Sequence, residues 1–299
     1  MTDTSNLRFL RLTENLIGFY DGRVPGQRYA PGPNWVDDGA LSLGICSYAL
    51  VDGTDGMVFD THVSPQHGLR IRQTLEKMKV SRITVVLSHW HLDHIAGNEA
   101  FADCEIIAHR LTQSTLEANK TAIEEARQSG MPAISPLILP TTTYEDQMTL
   151  RIGNLEVHLR HVPAHSRDGT VLYLPAESLL LAGDTLEDTV SWVAEPDSLP
   201  EQLKALDQMW GWEIERIFPN HGAPEVIENG GYRKPLIRAG QQYLRTLQRA
   251  ATDAEIASLP LKEFIAGPLT AGWVNYFAPY ERVHQENLAR VKAALKAQE

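Results

Sequence analysis

A β-branched apolar run, Ile83-Thr84-Val85-Val86-Leu87-Ser88, passes without a break into His89-Trp90-His91-Leu92-Asp93-His94. The run is too short for a helix and reads as a buried strand, which puts the polar hexad at the strand's end. On extended backbone, residues two apart project the same way, so His89 and His91 can converge on one point. A helix read over Asp93–Phe101 turns Asp93 and His94 toward a second point close by. Three imidazoles and a carboxylate in so short a stretch suit a borderline divalent cation, zinc first, with iron or manganese as alternatives. Taken singly, each residue has an ordinary reading as a polar loop side chain, and Asp93 as a helix N-cap. The hexad can supply only part of two coordination shells, so a chain that uses it must fold to bring more ligands from elsewhere.

Three candidates have the right setting. His165 follows a strand read over Glu156–Val162, Asp184 follows one over Leu179–Ala182, and His221 follows one over Ile214–Phe218. Each stands just beyond an apolar run, beside a Gly or Pro that lets backbone approach closely. Ligands set at the ends of several strands are how a rigid sheet presents a preorganised site. His161 rivals His165, but it shares a strand face with Val157 and Leu159, whereas His165 lies beyond the strand where a loop can turn inward.

The order and spacing of these residues resemble the metallo-β-lactamase superfamily. The pattern H-x-H-x-D-H matches His89, His91, Asp93 and His94, and the later ligands match His165, Asp184 and His221, over roughly residues 40–222. The resemblance implies an α/β fold, the four-layer αββα sandwich, with a metal pair at one edge. It implies that His89, His91 and His165 hold one metal, that Asp93, His94 and His221 hold the other, and that Asp184 bridges them. Asp60, at the end of Met57–Asp60, matches the family's acid that orients a ligand imidazole.

The rest of the chain reads around this core. Leu41–Val51 and Met57–Asp60 form a hairpin pattern about Asp52-Gly53, and Thr149–Val162 forms another about Gly153-Asn154. Glu105–Ala108 and Val171–Leu174 read as further short strands. Helical spacing marks Ser64–Lys79, Leu111–Ser129, Pro200–Trp210, Leu236–Ala250 and Tyr280–Ala297. The expected organisation is one metallo-β-lactamase-like domain over residues 1–230, with a helical extension over 231–299 packed on it.

Composition narrows the partners. The 299 residues are 43% hydrophobic with a formal charge of −11, so a sizeable core can form and a phosphate backbone is repelled. No nucleic-acid or membrane partner is expected: no apolar stretch is long enough to span a bilayer, and charges interrupt every apolar run near the N-terminus. A cytoplasmic location is the expectation. Cys46 and Cys104 read as buried small hydrophobes rather than a disulfide framework. His62, His67, His109, His158 and His284 have no motif support and read as surface or locally hydrogen-bonded residues. Trp35, Trp90 and Trp192 are candidates for a pocket wall, although Trp90 should point away from its neighbouring ligands. The C-terminal helices read as packing or oligomerisation elements, so a homo-oligomer is a further expectation. Tyr276, Phe277 and Tyr280 form an aromatic cluster that could face a substrate or a second subunit.

The reaction expected of such a site is hydrolysis, with a metal-bridging hydroxide attacking a carbonyl carbon. Asp93 would ligate, orient the nucleophile and relay a proton to the leaving group. Bound cations would favour a small-molecule substrate carrying negative charge. Within the family resemblance, Asp184 stands where one lactamase class has Cys, which weakens β-lactamase-type amide hydrolysis. His91 stands where iron flavoproteins have Glu, and Glu187 where acyl-homoserine lactonases have Tyr. The segment Leu186–Pro196 is acidic where glutathione thioesterases are basic. A small ester, thioester or lactone is the expected substrate. Three alternatives stay open: a mononuclear iron enzyme resembling persulfide dioxygenases, which would use His89, His91 and His165, β-lactamase-type amide hydrolysis, and a non-enzymatic binding protein on the same fold.

Overall fold

The structure, a computed structural model, describes residues 4–297. Residues 1–3 and 298–299, the outer ends of the two segments read from sequence, lie outside the described residues. Two sheets carry the architecture. Seven strands lie side by side in chain order: β1 (Arg8–Arg11), β2 (Leu16–Asp21), β3 (Ile45–Asp52), β4 (Asp55–Phe59), β5 (Arg82–Val86), β6 (Glu105–His109) and β7 (Thr142–Tyr144). The second sheet sets β8 (Gln147–Ile152), β9 (Leu155–His161), β10 (Thr170–Leu174), β11 (Leu179–Gly183) and β12 (Arg216–Pro219) side by side.

The period-two alternation of strand side chains decides what each face buries. Tyr48, Met57, Phe59, Val86 and Ile107 turn inward from the first sheet and meet Val157, Leu159, Leu172, Leu181 and Phe218 in one cluster between the sheets. Their neighbours Ala49, Val58, Val85 and Ile106 turn outward and pack on Ile71 and Leu75 of α1 (Pro65–Lys77). Leu116 and Ile123 of the helix over Arg110–Glu124 join the same cluster. Between those helices lies α2 (Leu92–Ile95), so the Arg110–Glu124 helix is α3. On the far side, Leu206 and Met209 of α4 (Leu199–Trp210) and Leu244 and Leu247 of α5 (Pro235–Ala250) belong to the cluster of the second sheet. Val283 and Val291 of α6 (Tyr280–Lys296) join it too. The result is the four-layer αββα sandwich, with the C-terminal helices added to its last layer.

Several local expectations are corrected. The strand expected from Leu41 begins at Ile45, because Val36–Leu41 winds as a π-helical turn first. The helix expected over Asp93–Phe101 is the single turn α2 followed by a 3-10 turn at Asn98–Phe101. Gly97 between them lies so close to Thr61 that a Cβ there would stand 2.0 Å from the Thr61 carbonyl oxygen. The helix expected to reach Ser129 ends at Glu124, and Ala126 adopts a positive φ just beyond it. The strand read from Ile214 starts at Arg216. The hairpin β1–β2 and the edge strand β7 had no reading in the sequence. Among the described residues, no helix is long and apolar enough to cross a membrane.

Candidate metal centre

Five strand ends meet at one edge of the sandwich. Asp60 follows β4, the His89–His94 segment follows β5, His165 follows β9, Asp184 follows β11 and His221 follows β12. At Gly183 the chain takes a φ of +57°, and a Cβ there would come within 2.9 Å of Ser88 Cβ, so only glycine lets the Asp184 turn lie against the β5 end.

The seven residues predicted from the sequence come together. His91 Nδ1 lies 2.8 Å from His89 Nε2 and 3.1 Å from His165 Nε2. Asp93 Oδ2 lies 3.2 Å from His221 Nε2 and 3.6 Å from His94 Nε2. Asp184 Oδ2 stands between the two groups, 3.1 Å from His94, 3.6 Å from His221, 3.7 Å from His89 and 3.9 Å from His165. Its other oxygen is buried and has no hydrogen-bond partner among the described residues.

The hydrogen bonds behind the ring decide which nitrogens face the centre. Asp60, held at a φ of +64°, accepts from the Ser88 backbone N–H and hydroxyl, from Asn220 Nδ2 and from His94 Nδ1 at 2.9 Å. With its hydroxyl hydrogen committed to Asp60, Ser88 Oγ accepts from His89 Nδ1 at 2.8 Å. His221 Nδ1 donates to the Gly44 carbonyl at 2.8 Å. Three imidazoles thus have the rear N–H engaged and turn the second nitrogen to the centre, the arrangement a metal-ligating histidine needs.

Electrostatics divides the site. Burial, then neighbouring imidazoles, holds His89 well below the usual histidine range and His91 at about 4. Burial also lowers His165. These three are neutral and present lone pairs to one another, which suits a shared cation. Burial alone would raise the Asp93 and Asp184 carboxyls, but His94 and His221 outweigh it and hold Asp93 at about 2 and Asp184 well below the carboxylate range. In return, those carboxylates overcome burial and raise His94 and bring His221 to about 9. The carboxylate side therefore draws positive charge inward. The donor set, six imidazole and carboxylate groups around a shared carboxylate, fits one or two divalent cations.

A cavity of about 560 Å³ opens over these residues. Trp35, Trp90 and Trp192 line it. Trp90 does not point away from the ligands as expected: its ring lies 5.2 Å from that of His91, because Asp168 accepts from the Trp90 N–H and turns the segment. The ring of Trp192 lies 5.7 Å from His91 and 6.3 Å from His165.

The histidines read as surface or locally hydrogen-bonded residues make local bonds, His62 to Val63, His67 to Ser64, His109 to Leu111 and His158 to Glu156, but most are not at the surface. His62, His67, His109 and His284 are buried. His67 bonds Asp21 and Ser64, and His62 stacks on it with ring centroids 4.5 Å apart. His161 lies outside the ring: it stacks 4.0 Å over His109 and donates to the Arg167 carbonyl at 2.7 Å. Cys46 is buried as expected, whereas Cys104 is half-buried. Of the aromatic cluster, Tyr280 is fully buried, Phe277 packs under Arg23 and Tyr276 is exposed.

Two features escaped the sequence reading. Ser88 and Asn220 support ligands, and their only signal was adjacency to His89 and His221. Glu187 sits near Asp184 and His165, accepting from the Trp192 N–H at 3.1 Å and the Tyr280 hydroxyl at 3.2 Å. Burial, with the Asp184 charge second, raises its carboxyl to about 8.

A family model described as the metallo-beta-lactamase superfamily matches residues 42–221. A beta-lactamase-like protein 2 homolog from Drosophila melanogaster is 28% identical over 63% of this chain and 62% of its own length. A linear primary-alkylsulfatase from a Pseudomonas strain is 23% identical over 77% of this chain and 52% of its own length. The chain thus spans less than two thirds of both these relatives. An atrochrysone carboxyl ACP thioesterase from Aspergillus fumigatus is 24% identical over 91% of this chain and 80% of its own length. Among solved structures, a metallo-beta-lactamase from Pontibacter korlensis superposes with a TM-score of 0.56 at 15% identity, covering 78% of this chain and 99% of that one.

Proposed function

The chain belongs to the metallo-β-lactamase superfamily, and from that premise we propose that it is a metal-dependent hydrolase of small acyl substrates, thioesters or esters first and lactones next. The observation that carries this reading is the position of Asp184, whose Oδ2 lies within 3.9 Å of imidazole nitrogens from both groups of the site. His89, His91 and His165 would hold one cation, Asp93, His94 and His221 a second, and Asp184 would share both, with zinc favoured by the imidazole-rich donors. Such a pair supplies Lewis acidity and a water that ionises near neutral pH.

The chain's own residues account for the rest. Asp60 and the Gly44 carbonyl lock His94 and His221 in the tautomer that turns Nε2 inward. Asp93, one-fifth exposed at the cavity floor, is the carboxylate placed to take a proton from the attacking water and pass it to the leaving group. Trp35, Trp90 and Trp192 restrict water around the acyl group. Hydrolysis breaks the bond between acyl carbon and leaving sulfur or oxygen, adds the water oxygen to that carbon, and yields a carboxylate, a thiol or alcohol, and a proton. The relative described as an ACP thioesterase, similar along most of this chain, favours a thioester. An intracellular, membrane-free setting with a small-molecule partner goes with this reading.

The test is metal content of the purified protein followed by turnover on matched ester, thioester, lactone, lactam and alkyl sulfate substrates. Two zinc ions per chain with acyl–sulfur or acyl–oxygen cleavage is the expected result. One iron per chain with persulfide-dependent oxygen uptake would replace this reading with the oxygenase one.

A further inference from the structure

Among the walls of the cavity that the ligand motif does not supply is the face of α6 bearing Arg282, Glu286 and Arg290. Residues four apart stand above one another on a helix, so these three form one stripe along the opening. Their charges are not equally engaged. Arg282 pairs with Glu286 at 3.9 Å, and Glu195 on the neighbouring loop pairs with Arg167 at 3.1 Å. Arg290 has no carboxylate within ion-pair distance among the described residues. Its guanidinium donates to the carbonyls of Val193 at 2.9 Å and Ala194 at 2.5 Å, and lies 4.6 Å over the Trp192 ring. Two carbonyl bonds and a stacked indole immobilise the group without cancelling its charge.

That indole is the one packed against His91 and His165. The loop carrying it is itself pinned: Asn287 accepts from the Val193 N–H at 2.8 Å and donates to the Ser191 carbonyl at 3.0 Å. The cation is therefore held in a fixed place, one indole ring away from the imidazoles of the metal centre, in an otherwise acidic chain.

We propose that Arg290, laid over Trp192, is a subsite for an oxyanion group, a carboxylate or a phosphate, on the substrate of the centre. This deepens the hydrolase reading and rests on it for the identity of the reacting end. A planar fork with donors to spare is suited to an oxyanion, and the stacked indole keeps that fork oriented. A carboxylate would belong to the acyl side of the substrate, and a phosphate to the leaving thiol.

Equilibrium binding tests this independently of turnover. Calorimetry would compare N-benzylglutaramate with its neutral counterpart N-benzylpentanamide, and pantetheine 4′-phosphate with pantetheine. The expected result is that one anionic member binds the wild-type protein about tenfold tighter or more than its neutral partner. The first pair responding places the anion on the acyl side, the second on the thiol side. Arg290→Met should bring that ratio toward one, and Arg290→Lys should keep part of it. Equal affinities within both pairs in the wild-type protein would overturn the proposal, as would a ratio that survives Arg290→Met. A looser loop alone would weaken both members of a pair alike and leave the ratio unchanged. Failure of the zinc-loaded protein to turn over any acyl substrate would instead count against the hydrolase reading and leave these binding ratios readable.

Discussion

Asp60 Oδ2 accepts from His94 Nδ1 at 2.9 Å, while the opposite nitrogen of the same ring lies 3.1 Å from Asp184. One carboxylate thus sets the tautomer of a histidine that faces another. Asp60→Asn replaces this acceptor with an amide that cannot accept at every contact Asp60 now makes with Ser88, Asn220 and His94. Metal affinity should fall roughly tenfold to a hundredfold, read by competition with a chromophoric chelator. Unchanged affinity would remove Asp60 from any role in orienting the site.

Asp184→Ala and His91→Ala should lower metal content and hydrolysis together while circular dichroism reports an intact fold. Each residue stands at a strand end and contributes nothing to the apolar clusters between the layers. Chelation of the wild-type protein should reproduce the loss, with recovery on adding zinc. Normal turnover in a folded, metal-poor variant would refute the assigned roles.

His109 offers a pH dependence away from the metal ligands. Burial, then the stacked His161, lowers its pKa to about 4, against roughly 6.5 in an unfolded chain. The unfolded state binds the proton first, so stability is full above about 6.5 and declines as pH falls toward 4. His109 also caps α3, its Nδ1 accepting from the Leu111 N–H at 3.3 Å. His109→Asn can keep a cap without titrating, so its melting temperature should fall less steeply than wild type between pH 6.5 and 4. Parallel curves would show that this ring contributes no acid sensitivity.

Asn287→Ala would strand the buried Val193 N–H and the part-buried Ser191 carbonyl and remove a buried bond to the Tyr243 hydroxyl. A loss of about 2 kcal/mol follows from leaving such groups without partners, measured by urea unfolding. A change under a few tenths would mean that water replaces the amide and that the loop is not held from α6.

The ligand ring was legible because its members are chemically distinctive and stand just beyond apolar runs. The sequence alone places His89, His165, Asp184 and His221 at strand ends, since strand ends are where period-two burial stops. Trp90 was misplaced because alternation along the backbone predicts direction only while the chain stays extended, and Asp168, far along the sequence, turns it. His62, His67 and His109 make the local hydrogen bonds that one half of their reading expects, to Val63, Ser64 and Leu111, but their burial was not legible, because a lone histidine carries no local sign of it; Asp21 reaches His67 only once β2 and α1 are packed together. The hairpin β1–β2 was missed because its short edge strand is mostly exposed and lacks an apolar run.

By itself the sequence determined the inner site: residue type and spacing carry the chemistry of metal ligands, and local backbone geometry says where they emerge. Only the tertiary structure decided what surrounds it. Glu187 beside Tyr280, and Arg290 over Trp192, pair residues roughly a hundred positions apart. Their meeting depends on how the last helix packs against α5 and the turn at Pro196–Ser198, which is a sum of many weak apolar contacts that no short motif records.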